Sequence, residues 1–493
     1  VRLGEQADVE ALGQAVADVV VRHESLRTRF VEVGGEPTQV VDPVESVESV
    51  VSVVETDDVD DEMARVAAAG FDLGAGAFRA VLVSGPQTSL LVVVLHHIIG
   101  DGASLRPLIG DVLTAYNARR YGFTPFFPPL PVQYADYSLW YDRVLGDAAD
   151  EDSVAAREIA FWAEHLAGAP EVISLPTDRP RPTRPSGHGD FVDRVLSESA
   201  VAALRSLAAQ SGVTLFSVVQ AALMLVLARL NDTDDVVVGT AVAGRDEPQV
   251  ADLIGMFVNT VALRTAVSPG LTVEELLTRV HRGRAEALAN STTPFEQVVD
   301  AVAPSRTLAH SPVFQVALTM VTDAMGVIDD DLGFEVVDAR VPAAKSDLTL
   351  TVTDYLDSGR LALEFNYATD LFDESSVESF ADYLERVLVA MAAGAQAPIG
   401  RIDLLSADEV DRAVASVARV VEPRPLRAFV GDWLAAGYRR DEQALLVGAG
   451  VRLTATAASS RINQLARELL ARGAGPGSVV AVRIPRSVDS VVA

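Results

Sequence analysis

The sequence predicts a protein of the mixed α/β (α+β) class with more than one domain. Runs of β-branched and aliphatic residues typical of strands alternate with helical patterns along most of the chain. The length of 493 residues exceeds what one hydrophobic core normally supports. Hydrophobic residues make up 49% of the sequence, which is enough for packed cores.

The first half of the chain predicts two helices separated by strands. Apolar residues recur at helical spacing from Leu12 to Val20, after a candidate N-cap at Asp8. Strand-like runs follow at residues 39–41, 50–54 and 78–83, and a strongly apolar strand begins at Leu90. A second helical face runs over residues 105–116.

Prolines crowd residues 176–187, which excludes a stable helix there and predicts a linker between two lobes. Beyond it the pattern is again mixed, with helices expected at residues 197–210 and 215–230 and a strand at residues 235–239. After a second predicted linker at residues 406–425, the last segment predicts a helix at residues 461–472, a glycine-rich turn and a strand at residues 479–484.

Charge and composition exclude several classes of function. The 69 acidic and 40 basic residues give a formal net charge of −29, which argues against binding to nucleic acid or to an anionic membrane. The absence of cysteine excludes disulfides and thiolate chemistry and suits the cytoplasm. The most apolar helix, at residues 215–230, contains Ser217, Gln220 and Arg229 and is too short for a membrane span. No histidine spacing indicates a metal site, and the glycines at 473, 475 and 477 lack the Lys-Ser/Thr of a phosphate loop.

The strongest candidate for chemistry is the end of the strand that begins at Leu90. There His96 and His97 are adjacent, and Asp101-Gly102 follows four residues later. An imidazole has an unperturbed pKa of about 6.5, so it can accept and return a proton near neutral pH. Side chains of successive strand residues face opposite ways, so one imidazole is expected to reach a cavity. Asp101 can also serve as a helix cap, and the spacing alone leaves catalysis and structure open.

Six motifs follow one another along the chain. They are RHESLRTRF at residues 22–30, HHIIGDG at 96–102, YADYSLW at 134–140, IGMFVNT at 254–260 with Arg264, PFE at 294–296, and Arg306 with PVFQV at 312–316. In this order they resemble the motifs of the condensation domains of nonribosomal peptide synthetases. Three features depart from the family's pattern. The opening Ser-x-Ala-Gln element is missing, residues 290–293 (NSTT) replace a His-Gln-Asp run, and Ala103 stands where Trp is frequent.

The resemblance covers residues 1 to about 405, and the tail resembles the beginning of an adenylation domain. Residues 453–454, 461–466 and 486–488 fit that domain's first segment, although Ala455 stands where Tyr is usual. The tail stops before the phosphate loop that adenylation requires. The predicted domains are an N-lobe without its first strand (1–175), a linker (176–187), a C-lobe (188–405), a second linker (406–425) and a partial adenylation domain (426–493).

The resemblance implies a fold and a reaction. The expected fold is two chloramphenicol-acetyltransferase-like lobes in a V-shaped pseudodimer, with a tunnel between them. Upstream and downstream carrier proteins would present their thioesters on 4'-phosphopantetheine arms, so the domain itself needs no bound cofactor. The downstream amine would attack the upstream thioester to form an amide, and an adjoining adenylation domain would be a further partner.

The resemblance also implies roles for named residues. His97 is the expected catalytic residue, as a base or as a group that orients the amine. His96 supports the loop, and the backbone around Gly102 helps stabilise the oxyanion. Asp101 is expected to fix the turn and to pair with an arginine. Arg264 is the first candidate for that partner and Arg306 the second.

Four alternatives stay open at this point. One is a stand-alone acyltransferase that uses coenzyme A or a carrier-bound acyl group and an alcohol or amine acceptor, against which the adenylation-like tail argues. A second is an epimerisation domain, which the IGMFVNT motif and the same tail disfavour. A third is a heterocyclisation domain, which is disfavoured because that subgroup has aspartates in place of the histidine signature found here. The fourth is a catalytically silent scaffold that binds carrier proteins, which the intact His97 disfavours.

Overall fold

The computed structural model describes residues 1–3, 8–47, 50–86, 88–302, 307–322, 334–337, 340–356, 358–417, 444–448 and 450–493. They form two compact units, residues 1–406 and 407–493. The first unit contains two separate sheets with helices packed on them. The predicted mixed α/β class is therefore confirmed.

The first sheet belongs to the N-terminal part of this unit. This part of the chain contains six strands, four in the sheet and two in a neighbouring hairpin. They are β1 (Arg2–Leu3), β2 (Thr28–Val33), β3 (Glu36–Val41), β4 (Val51–Glu55), β5 (Phe78–Ser84) and β6 (Ser89–Leu95). The sheet has the order β1-β6-β5-β4, with β4 and β5 parallel and the other pairs antiparallel. β2 and β3 form the hairpin, whose two-residue turn Gly34-Gly35 has positive φ at both positions, as a turn of type I′ requires.

The helices of this part are α1 (Val9–Arg22), α2 (Val59–Ala68), α3 (Leu105–Arg120), α4 (Tyr134–Leu145) and α5 (Val154–His165). The predicted cap of α1 is confirmed, because the Asp8 carboxylate accepts a hydrogen bond from the Ala11 N–H at 3.0 Å. The apolar stripe of α1 packs against α3 and the first sheet, and it is fully buried between Leu12 and Val20.

The second sheet has six strands. They are β7 (Gly189–Val195), β8 (Asp235–Val242), β9 (Asn259–Ala266), β10 (Val316–Thr322), β11 (Leu348–Tyr355) and β12 (Arg360–Ala368). The order is β7-β12-β11-β10-β8-β9, with β10 parallel to both β8 and β11 and the other pairs antiparallel. The aromatic ring of Phe314 lies so close to Gly239 that a Cβ there would be 2.2 Å from it, and only glycine fits this position.

Helices cover this sheet. They are α6 (Glu198–Gln210), α7 (Leu215–Asn231), α8 (Val273–Leu288), α9 (Phe295–Val302) and α10 (Glu374–Ala393). The predicted bounds of α6 and α7 agree with the structure, and residues 217–228 of α7 are buried in the core. Among the described residues no single helix is long and apolar enough to cross a membrane, although α6 and α7 together, bent by 104°, meet the length and composition criteria.

Two stretches near the predicted lobe boundary pack with the second sheet. Trp162, Leu166, Ile173 and Leu175 lie in its core, although the sequence assigns them to the N-lobe. Residues 176–187 contain neither helix nor strand, and the Arg181 guanidinium binds the Asp347 carboxylate at the start of β11. The lobe and linker bounds stay predictions.

The second unit consists of α11 (Ala407–Val417), β13 (Ala444–Gly448), β14 (Val451–Thr454), α12 (Ala455–Ala471) and α13 (Val488–Val492). The linker expected at residues 406–425 contains α11, and its bounds stay a prediction. One prediction is wrong here. The strand expected at residues 479–484 is irregular, and its Val479 side chain is 98% exposed. A β-strand is stabilised by hydrogen bonds to a neighbouring strand, and no such pairing occurs for this segment in the described part of the unit.

Candidate active site

The histidine motif forms a tight turn at the end of β6. The His96 N–H donates to the Ala77 carbonyl at 2.9 Å, which extends the pairing of β6 by one residue. The Ile99 N–H then donates back to the His96 carbonyl at 3.0 Å and closes the turn. Ile99 is buried in the core that packs against the first sheet, whereas the His97 side chain at the apex of the turn is exposed. The turn therefore anchors its apolar end and presents His97.

The two imidazoles have different environments. His96 is half-buried, and its Nδ1 accepts a hydrogen bond from the Ile98 N–H at 3.1 Å. Its ring lies edge-on to Phe71, with 6.1 Å between the ring centroids. His97 is the more accessible of the pair, since it lies beyond the end of β6 at the apex of the turn.

Asp101 caps the helix that follows the turn. Its Oδ1 accepts a hydrogen bond from the Ser104 N–H at 2.9 Å, and the Asp101 N–H donates to the Ser104 hydroxyl at 3.2 Å, which together form a capping box. Gly102 is exposed at the first position of the short 3-10 helix Gly102–Ser104, which continues into α3. The HHIIGDG motif therefore links a strand end to a helix start.

The same carboxylate also binds groups from far along the chain. The Arg245 guanidinium donates to Asp101 Oδ1 at 3.0 Å, and the Phe257 N–H donates to Oδ2 at 3.0 Å. The side chains of Asp101 and Arg245 are only 3% and 10% exposed. The Ser104 hydroxyl accepts a further hydrogen bond from the Gly255 N–H at 3.2 Å. We call these five residues the Asp101 junction, because they join the first part of the unit to the segment between β8 and β9.

The predicted arginine partner of Asp101 is wrong. Arg264 instead forms a two-pronged pair with Asp235, at 3.0 Å from Nε and 2.7 Å from Nη2, and it donates to the His165 carbonyl. The hydrogen bonds that Arg264 donates to the Asp235 carboxylate raise the pKa of Arg264 above its ordinary value. Arg264 therefore ties β8, β9 and the end of α5 together, away from the histidines. Arg306, the second candidate, lies outside the described residues.

Arg245 is the residue that sequence reasoning missed. It follows Gly244, whose φ of +63° is left-handed and whose added Cβ would lie 2.1 Å from the Phe257 carbonyl oxygen. The Arg245 guanidinium also covers the Phe257 ring, 4.1 Å from the ring centroid. A Gly-Arg pair in the loop that follows a strand was the available signal, but it does not reveal a partner 144 residues away.

Aromatic residues of α4 pack against the junction. The Tyr134 hydroxyl donates to the Met256 carbonyl at 2.8 Å, and its ring lies perpendicular to that of Phe257. Burial first, and the charge of Asp101 second, raise the pKa of Tyr134. Burial, followed by the charge of Glu158, raises the pKa of Tyr141 to about 12. These phenols are neutral hydrogen-bond donors over the physiological pH range.

Asn259, the last residue but one of the IGMFVNT motif, holds the loop at residues 290–293. The Asn259 Nδ2 donates to the carbonyls of Ser291 and Thr293, both at 2.8 Å, and its Oδ1 accepts from the Phe295 N–H at 3.1 Å. The buried Glu158 carboxylate of α5 accepts from the Thr293 N–H at 2.6 Å. The loop that departs from the family's His-Gln-Asp run is thus fixed through its backbone. Among the residues that the structure describes, no cluster of three His, Asp or Glu side chains is placed to hold a metal ion.

Comparison with known proteins decides the family. The family model of the condensation domain matches residues 1–412. The chain belongs to the condensation-domain family. Condensation domains of nonribosomal peptide synthetases are acyltransferase-type enzymes that form amide bonds, as the resemblance implied.

Similar proteins are large synthetases. The chain is 41% identical to the probable nonribosomal peptide synthetase CymA of Salinispora arenicola, over 99% of the chain and 6% of that protein. It is 36% identical to a dimodular nonribosomal peptide synthase of Bacillus subtilis, over 100% of the chain and 21% of that protein. The chain thus spans a small part of these curated relatives.

Among solved structures, the X-domain from teicoplanin biosynthesis is similar to this chain. The TM-score is 0.76 and the sequence identity 31%, and the match covers 82% of this chain and 92% of the X-domain. A four-domain nonribosomal peptide synthetase bound to AMP and glycine shares the fold with a TM-score of 0.72 and 21% identity, over 97% of this chain and 37% of that one. The predicted condensation-domain fold is confirmed.

Proposed function

We propose that this chain forms a peptide bond between two carrier-bound substrates. The donor is an acyl or peptidyl thioester on an upstream carrier protein, and the acceptor is the free amine of an aminoacyl thioester on a downstream carrier protein. The observation that carries the proposal is the exposed His97 imidazole on a turn fixed at both ends, by the β6 pairing and by the Asp101 junction. Membership of the condensation-domain family supplies the reaction class.

The chemistry needs little from the protein. The amine nitrogen attacks the thioester carbonyl carbon, the new C–N bond forms, the C–S bond breaks, and the proton lost by the amine ends on the released pantetheine thiol. Tethering both substrates to carrier arms makes the encounter one of high effective molarity. His97 takes the amine proton or hydrogen-bonds and orients the amine, and the backbone around Gly102 stabilises the developing oxyanion.

Asp101 has a positioning role in this proposal rather than that of a base. Both of its carboxylate oxygens accept hydrogen bonds from fixed donors, which are Ser104, Arg245 and Phe257. With both oxygens engaged by fixed donors and its side chain buried, the carboxylate is not placed to reach a substrate. Its contribution is to hold the first turn after the histidine motif.

The proposed setting is a larger synthetase. The domain binds no cofactor of its own and receives substrates on 4'-phosphopantetheine arms of carrier proteins. Residues 426–493 would be the beginning of an adjoining adenylation domain, in a cytoplasmic enzyme. Two findings support this tail assignment: the family model ends at residue 412, and the likeness to the four-domain synthetase extends over 97% of the chain.

Intact-mass spectrometry of loaded carriers tests the function. An upstream carrier bearing a peptidyl group and a downstream carrier bearing an amino acid are mixed with wild type, His97→Ala or His188→Ala. His188 is a matched control, since it is an exposed histidine at the start of the second sheet. We expect peptidyl transfer with wild type and His188→Ala and a loss of about 100-fold or more with His97→Ala, within the range for general acid–base groups.

Two outcomes would overturn the proposal. If folded wild type extends no downstream carrier across several amino-acid pairs but transfers acyl groups from coenzyme A to an alcohol or amine, the chain is a stand-alone acyltransferase. If it transfers nothing yet binds carrier proteins, it is a silent scaffold. Unchanged turnover by His97→Ala would remove His97 from the mechanism while leaving the reaction intact.

A further inference from the structure

We propose that Phe71 is a positioning residue for the condensation reaction, because it fixes the ring of His96 and through that ring the turn that presents His97. The inference deepens the function proposed above and rests on it. Phe71 lies outside the motifs of the sequence analysis, in the segment between α2 and β5.

The first step concerns the hydrogen bond inside the turn. His96 Nδ1 accepts from the Ile98 N–H at 3.1 Å, so this nitrogen carries no proton and the neutral ring has its proton on Nε2. The bond closes around His97, which lies between the two residues that it joins. The rotation and tautomer of the His96 ring therefore set the backbone on which His97 stands.

The second step concerns what holds that ring. The Phe71 ring lies 6.1 Å from the His96 ring between centroids, with an interplanar angle of 89°. Perpendicular packing of this kind is the favoured arrangement of two aromatic rings and resists rotation about χ2. Loss of the Phe71 ring would free His96 to turn and to exchange tautomers. The bond to Ile98 would then no longer be maintained.

The third step shows that Phe71 is itself held. The Arg79 guanidinium lies 4.4 Å from the centroid of the Phe71 ring. It also donates to the carbonyls of Ala69 at 2.9 Å and Gly70 at 2.7 Å, immediately before Phe71 in the chain. Arg79 belongs to β5 and pairs with Val94 of β6, the strand that ends in the histidines. One sheet therefore carries both the histidine turn and the residue that orients its support.

The experiment compares Phe71→Leu with wild type in two measurements. The nitrogen-15 shifts of the His96 ring report its tautomer, without any substrate. Transfer between loaded carriers gives kcat and KM. We expect wild-type His96 to be protonated on Nε2 alone and the variant to show a mixture of tautomers. We expect kcat to fall about tenfold or more, with KM for both carriers within about twofold, since misplacement by about 1 Å can cost about 100-fold.

Two further variants separate positioning from packing. Phe71→Tyr keeps the aromatic ring and should retain both the single tautomer and most of the turnover. Phe191→Leu is the matched control, because Phe191 is a half-buried ring 5.2 Å beneath the Arg340 guanidinium in the second sheet. It should leave the His96 tautomer and kcat unchanged.

A single Nε2-protonated tautomer and unchanged kcat in Phe71→Leu would overturn the inference, as would a proton on Nδ1 of His96 in wild type. A loss of activity in Phe71→Leu without any change in tautomer would also contradict it. Failure of wild type to form any amide would instead contradict the proposed function. That failure is distinguishable, because the tautomer is measured without substrate.

Discussion

At the scale of single residues, the charge of Asp101 is the feature with the largest expected effect on stability. Asp101→Asn keeps the shape but leaves the Arg245 guanidinium, 10% exposed, without a counter-charge. The NH2 group of the new side-chain amide would also face either the Phe257 N–H or the Arg245 guanidinium, and both of these groups are donors themselves. We expect the free energy of unfolding to fall by about 3 to 5 kcal/mol, as for other broken buried pairs, and turnover to fall with it. Urea denaturation and the loaded-carrier assay measure the two quantities.

Asp382→Asn is the control for that variant. The Asp382 carboxylate binds the Arg194 guanidinium at 3.5 Å, and its side chain is 45% exposed. An exposed pair contributes at most about 1 kcal/mol, so this variant should unfold nearly as wild type does. An unchanged melting temperature of Asp101→Asn together with abolished turnover would contradict the positioning role and indicate direct participation in the chemistry.

The sequence predicted the local features of the site but not the distant arginine that pairs with Asp101. The adjacency of His96 and His97 and the capping position of Asp101 are local, so the order of residues predicts where they lie. The arginine partner is not local, because Arg245 and Asp101 are 144 residues apart and meet only through the fold. Arg264 matched a motif, but its geometry is decided by Asp235 on the neighbouring strand.

At the scale of elements, Asn259 at the start of β9 connects this strand to the loop before α9. Asn259→Ala would leave the carbonyls of Ser291 and Thr293 and the N–H of Phe295 without their partner. Water can replace only some of these bonds in a half-buried loop, so we expect a loss of about 2 to 3 kcal/mol. Hydrogen exchange should become faster at residues 290–295.

Asn366→Ala provides the comparison for this element. Its Nδ2 donates to the Ala343 carbonyl at 3.0 Å and to the Asp190 carbonyl at 3.4 Å, and these bonds are exposed to water. We expect a cost below about 1 kcal/mol. Equal costs for the two variants, or unaltered exchange of the loop in Asn259→Ala, would contradict the role of Asn259 as its anchor.

Elements were predictable where their signal is local. The spacing of apolar residues and the caps predicted α1, α6 and α7 closely, because a helix makes its hydrogen bonds within itself. The strand expected at residues 479–484 has the right composition but is irregular, since a strand also needs a neighbour. The helix at 407–417 lies in a stretch for which the sequence predicted a linker.

At the scale of the whole molecule, the Asp101 junction makes the two sheets of the first unit depend on each other. The Ser104 hydroxyl, from the first part of the unit, accepts a hydrogen bond from the Gly255 N–H. The Tyr134 ring packs so closely on Gly255 that an added Cβ would lie 2.1 Å from it. Phe257 would also be only 2.8 Å from that Cβ. The approach is therefore possible only with glycine, and the two sheets should unfold together in wild type.

Gly255→Ala tests this dependence by calorimetry and hydrogen exchange. The atoms nearest to the new methyl group belong to Tyr134 and Phe257, which pack in a cluster separate from the cores of the two sheets, so the substitution acts first on the junction and its hydrogen bonds. We expect the transition of residues 1–406 to separate into two, with the first sheet and the second sheet losing protection at different temperatures. Gly13→Ala in α1 is the control: no atom lies within 4 Å of its added Cβ, so it should stabilise the protein by about 0.5 to 1 kcal/mol and preserve one transition. A single, unshifted transition in Gly255→Ala would show that the sheets are coupled by contacts other than the junction.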